Sequence, residues 1–145
     1  MVALIVLAAV VASGARAATR AQWVTAANAA CAKGLAPGHA VLAMWTKRPP
    51  ATVTEWVAGF TRIINGETKM RASLAAIPRP QADRPEISTM LMWLDRSLRE
   101  MRLARSAELA LNASLYKKHY SAAMSAARQF GLVTDSLGAH VCAHG

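Results

Sequence analysis

The chain is poor in the groups that catalysis uses. Of its 145 residues only 8 are Asp or Glu, 4 are His and 2 are Cys. None of the spacings that make a nucleophile elbow, a zinc-protease helix, a phosphate-binding loop or a dinucleotide fingerprint occurs. The few carboxylates fall mainly at outward helix positions, where an unperturbed group makes a weak acid or base. The expectation is a protein that is not an enzyme. Strand signals are missing as well. Aromatic residues amount to 6%, and no sustained period-two alternation of branched or aromatic side chains occurs, which argues against sandwiches and barrels. No internal repeat or low-complexity tract is visible, and the length suits one domain.

Alanine and positive charge are what the chain has in quantity. Hydrophobic residues make up 54%, but many are alanine, which favours helix and close helix approach more than deep apolar burial. Lys plus Arg outnumber Asp plus Glu by 17 to 8. That balance favours weak association with anionic membranes, wall polymers or nucleic acid, and it points to no specific nucleic-acid reader.

Val2 to Val11 form an unbroken apolar run, followed by Ala15-Arg16-Ala17 at the spacing a signal peptidase accepts. The run is short for a bilayer span, which needs about 20 residues. Residues 1–17 are therefore expected to be a signal peptide and residues 18–145 a single exported helical domain. No Lys or Arg precedes the run. A start placed too far downstream explains that, and so does an apolar first helix that stays uncleaved and tethers the protein. Two cysteines in an exported chain most simply make one bridge, Cys31 to Cys142. It would close a loop on the order of 110 residues, worth about 4–5 kcal/mol in the chain-entropy model.

Four helical segments follow from apolar spacings of three and four. The first runs from about Arg20 to Lys33 with Trp23, Val24, Ala27, Cys31 and Leu35 on one stripe and Gly34 as its stop. A connector with Pro37, Gly38, Pro49 and Pro50 follows, with room for a short helical turn between Ala40 and Trp45. The second helix starts at a Thr52 or Thr54 cap and ends before Pro78, with Gly66 as a weak point that permits a bend. After the linker Pro78 to Pro85, the third carries Ile87, Leu91, Leu94, Leu98 and Met101, the seam of helices packed side by side. It reaches about Leu111. A break at Asn112 to Ser114 leads to the fourth, with Leu115, Tyr120, Ala123, Met124, Ala127, Phe130 and Leu137 on its stripe and Gly138 at its end. The fold class expected is all-α, an up-down four-helix bundle closed by one disulfide.

Trp23-Val24-Thr25-Ala26-Ala27-Asn28-Ala29-Ala30-Cys31, Ile77-Pro78-Arg79-Pro80, Met90-Leu91-Met92-Trp93-Leu94-Asp95 and Leu137-Gly138-Ala139-His140-Val141-Cys142 together frame most of the mature chain. In these marks it resembles the small exported two-cysteine helical proteins of high-GC bacteria, most of them uncharacterised. The resemblance implies a disulfide from the first helix to the carboxyl end, a helical bundle and an extracytoplasmic location. It transfers no catalytic residue. The basic charge and the long segment from Ala36 to Pro50 depart from the pattern.

Four groups of residues carry what chemistry there is. Tyr116, His119 and Tyr120 form a candidate ligand face, since Tyr and His can ligate haem iron; the plainer reading is a boundary face with polar tips in water. Arg96, Arg99, Arg102 and Arg105, three apart, form a candidate basic surface, or else the solvated face that Asp95, Glu100 and Glu108 share. Trp45 and Trp93 are candidates for a partner surface, whereas Trp23 and Trp56 sit on core stripes. His140, Cys142 and His144 alternate as metal ligands do, but a bridged Cys142 cannot be a thiolate, so no metal site is assigned there. No cofactor is expected. The favoured function is a non-catalytic binding or interaction module for an unknown envelope or extracellular partner. A small-molecule or haem carrier and a basic protein on anionic surfaces are the alternatives.

Overall fold

Thr19 opens the first helix with a reciprocal cap. Its hydroxyl accepts the Gln22 N–H at 3.2 Å while the Gln22 side chain accepts the Thr19 N–H at 3.0 Å. The computed structural model of the chain describes residues 18–144, so the leader expected over residues 1–17 lies outside the described residues. From the Thr19 cap, α1 runs over Arg20–Lys47. The expected stop at Gly34 and the connector beyond it are corrected: the helix continues through Gly34, Pro37 and Gly38.

The reason lies in the partner helix. α2 spans Val53–Ala76 from a Thr52 cap whose hydroxyl accepts the Glu55 N–H at 3.1 Å. Gly34 is buried against it at Met70, where a Cβ on Gly34 would overlap the Met70 side chain. A Cβ on Gly66 would lie 3.2 Å from the Pro37 ring. The two glycines are points of close helix approach, and the contact they allow offsets what Pro37 removes from the ladder of α1. Gly66 is thus part of the α1–α2 contact and does not end or divide α2.

A short 3-10 turn, Gln81–Asp83, leads into α3, Arg84–Leu109, with Pro85 in its first turn. The turn to α4 takes three residues. Leu111 adopts a left-handed φ of 53°, and the Asn112 side chain accepts the Leu115 N–H at 3.1 Å. α4 covers Ala113–Leu137 and ends at Gly138, whose φ of 85° reverses the chain. The short α5, His140–His144, then folds back.

Among the described residues there are four long helices, α5, the 3-10 turn and no strand. Consecutive helices pack on one another, and α5 touches both α4 and α1. The expected α3 seam is the centre of the core: Ile87, Leu91, Leu94, Leu98 and Met101 are all buried, against Trp23, Leu74, Ala123, Phe130 and Leu137 from the other helices. Alanines on α4 let its backbone come close to α3, where the Ser97 hydroxyl reaches the Ala123 carbonyl at 3.3 Å. Cys31 and Cys142 are bonded, with Cα atoms 5.1 Å apart across 111 positions of sequence, which fastens α5 to α1. No described helix is long and apolar enough to cross a membrane.

Candidate functional site

Of the expected ligand face, the bundle keeps Tyr116 and Tyr120 together and turns His119 away from them. Tyr116 and Tyr120 stack on each other, ring centres 5.5 Å apart, and lean on Trp56 and Phe60 of α2. His119 turns to α3 instead, where its Nδ1 lies 2.8 Å from Oε2 of Glu100. Glu100 is buried and also receives Arg99, and its hydrogen bond with His119 pins α3 to α4. The His119 hydrogen bond, then Arg99, hold the Glu100 carboxyl below the usual range. Trp45 belongs to α1 and not to a connector. Its ring fills the space that a side chain on Gly59 would need and stacks with Trp56, centres 6.4 Å apart. Trp93 is half-buried, with the Arg96 guanidinium 5.4 Å over its ring.

The arginine row divides as its spacing around the helix requires. Arg102 and Arg105 reach across to the hydroxyls of Thr68 and Thr61 on α2, at 2.9 and 3.3 Å. Arg96 and Arg99 face a shallow hollow of about 640 Å³ together with Arg71, Arg79 and Asp95. Arg71 grips Asp95 with two bonds of 2.8 Å and Arg99 contacts Glu100, so two of the four cations are already engaged with carboxylates. Elsewhere on α2, burial alone raises the Glu67 carboxyl from 4.5 to about 7.

A larger feature lies along α4. Its expected core stripe splits: Ala123 and Phe130 are buried, while Leu115, Tyr120 and Met124 are 44%, 38% and 37% exposed. Tyr120, Met124, Ala127, Gly131 and Leu132 line a groove of about 790 Å³, with Ala143 and His144 of α5 at one side and Arg128 on its lip. Leu132, outside the expected stripe, is 65% exposed. Comparison with protein-family models, curated proteins and solved structures matches nothing. The groove's sequence signal was weak, because an apolar position on a helix looks the same whether it faces the core or a partner.

The carboxyl end shows a second arrangement. Cys142 is in the bridge, and His140 and His144, one turn apart on α5, both turn to Asp135 of α4. His140 Nδ1 donates to Asp135 Oδ1 at 2.7 Å, and His144 Nε2 lies 3.4 Å from the same oxygen. The His140 hydrogen bond foremost holds the Asp135 carboxyl below its usual range. Sequence reasoning named both histidines but missed Asp135, which only the left-handed turn at Gly138 brings to them.

Proposed function

We propose that this protein is an exported, non-catalytic interaction module of the cell envelope whose α4–α5 groove receives an apolar helical segment of a partner protein. The observation that carries the reading is the length and composition of the groove. Its lining runs from Tyr120 to Asp135 along one side of α4, about four turns or roughly 22 Å at the helical rise. An apolar trough of that length is what an amphipathic helix occupies. A net charge of +9 favours a partner with acidic residues flanking the apolar stripe. The single disulfide supports an oxidising compartment, and the short connections at Arg48–Thr52 and Ala110–Asn112 support the up-down order of the bundle.

Site-specific photocrosslinking in the producing cells tests this. A photoreactive residue at Leu132 is expected to give a discrete protein adduct that a Met124→Arg change removes, while the same residue at exposed Ser73 gives none. Equal adducts from both positions, or none from Leu132, would contradict it. A small apolar ligand in the groove would instead appear as a mass adduct on the purified protein.

A second reading rests on Arg79, Arg96 and Arg99 around the hollow on α3. They favour weak contact with anionic lipid or wall polymer, and retention on anionic vesicles should then fall steeply with salt. Retention that ignores salt would oppose it.

A further inference from the structure

We infer that Asp135, His140 and His144 form a binding site for one divalent transition-metal ion of the zinc class. One carboxylate and two imidazoles are a donor set that zinc accepts, with a fourth position left to water. The three ligand atoms, one from each residue, all lie within 4.8 Å of one another. A tetrahedral ion with bonds of about 2.0–2.1 Å holds its ligand atoms about 3.3 Å apart. His144 Nε2 is already 3.4 Å from Asp135 Oδ1, and His140 Nδ1 is 2.7 Å from it. Side-chain adjustments of ångström size admit the ion in place of the direct contact between His140 and Asp135.

Preorganisation is what distinguishes this trio from a loose terminal tail. Gly138 reverses the chain, and the Ala139 N–H closes the turn on the Thr134 carbonyl at 2.8 Å. The Val141 N–H donates to Asn28 Oδ1 of α1 at 3.0 Å. Between the two histidines, Cys142 is buried and bonded to Cys31. The backbone that carries both imidazoles is thus tied to α1 and α4 without spending any of their nitrogens. The bridge that removes Cys142 as a ligand holds the real ligands in place. Bonding the metal is consequently coupled to the redox state of the bridge.

The test is zinc titration of the chelator-stripped, disulfide-bonded full chain by calorimetry, with cobalt absorption as a report of tetrahedral ligation. One equivalent of zinc is expected to bind. His140→Ala, His144→Ala and Asp135→Asn should each weaken it by about tenfold or more, while His39→Ala and His119→Ala leave it unchanged. These are surface or remote changes, so circular dichroism should show the native helix content in the three ligand variants. The Cys31→Ala/Cys142→Ala double variant should also bind more weakly if it keeps its helix content. Should it unfold, the ligand variants alone decide the matter. The inference is overturned by the absence of stoichiometric binding, by an Asp135→Asn protein that binds as wild type, or by a His39→Ala loss as large as that at the three ligands.

Discussion

The carbonyl oxygen of Gly34 occupies the place where a side chain on Gly66 would begin: a Cβ there would stand 2.5 Å from it. This backbone contact fixes how closely α1 and α2 can approach, and it cannot be relieved by rotating a side chain.

Adding a methyl at either glycine should therefore push the helices apart. Gly66→Ala and Gly34→Ala are expected to destabilise the fold by about 1–3 kcal/mol in urea unfolding. Gly38 is the internal comparison, since a Cβ there would meet only Ile63 side-chain atoms at 3.7 and 3.8 Å. Gly38→Ala should stabilise by about 0.5–1 kcal/mol through helix propensity. Three equal shifts would show that close approach plays no part.

Removing the bridge relaxes a constraint across 111 positions. The Cys31→Ala/Cys142→Ala protein should lose about 4 kcal/mol relative to the oxidised chain. In hydrogen exchange, the backbone amide at position 142, which in the native chain donates to the Ala139 carbonyl at 2.9 Å, should lose protection before those of α3. An α5 that stays protected without the bridge would contradict this.

Glu67 makes the pH dependence unusual. Its folded pKa is raised to about 7, so the folded state holds this proton more tightly than the unfolded chain. Its contribution is fully present below about pH 4.5 and is lost as pH rises through 7. Glu67→Gln should raise stability at pH 8 by about 2–3 kcal/mol and change little at pH 4. A substitution with the same effect at both pH values would rule out ionisation as the cause.

Glu100 acts with the opposite sign. Its folded pKa is lowered, so its contribution is present above the unfolded carboxylate range and lost as pH falls through the folded value. Glu100→Gln should cost about 1–2 kcal/mol at pH 7, because His119 and Arg99 lose a charged acceptor in a buried place. Below the folded pKa the difference should vanish.

Local signals in the sequence marked several elements correctly. The Thr52 cap, Pro85 in the first turn of α3, Gly138 as the end of α4 and the buried seam from Ile87 to Met101 each depend on residues a few positions apart. Gly34 and Pro37 misled because glycine and proline that usually stop a helix are also tolerated where another helix presses close, and Met70 and Gly66 are distant in sequence. How the candidate residues are arranged depends on contacts of the same long-range kind. Tyr116 and His119 diverge because α2 draws one and Glu100 of α3 the other. Asp135 joins His140 and His144 only through a chain reversal that periodicity does not encode.

The proposed export of a chain closed by the bond between Cys31 and Cys142 is tested most directly by intact mass spectrometry of protein recovered outside the cytoplasm. Cleavage after Ala17 and oxidation predict the mass of residues 18–145 less two hydrogens, with no alkylation until reductant is added. A chain that retains its first 17 residues, or two thiols that alkylate without reductant, would contradict it.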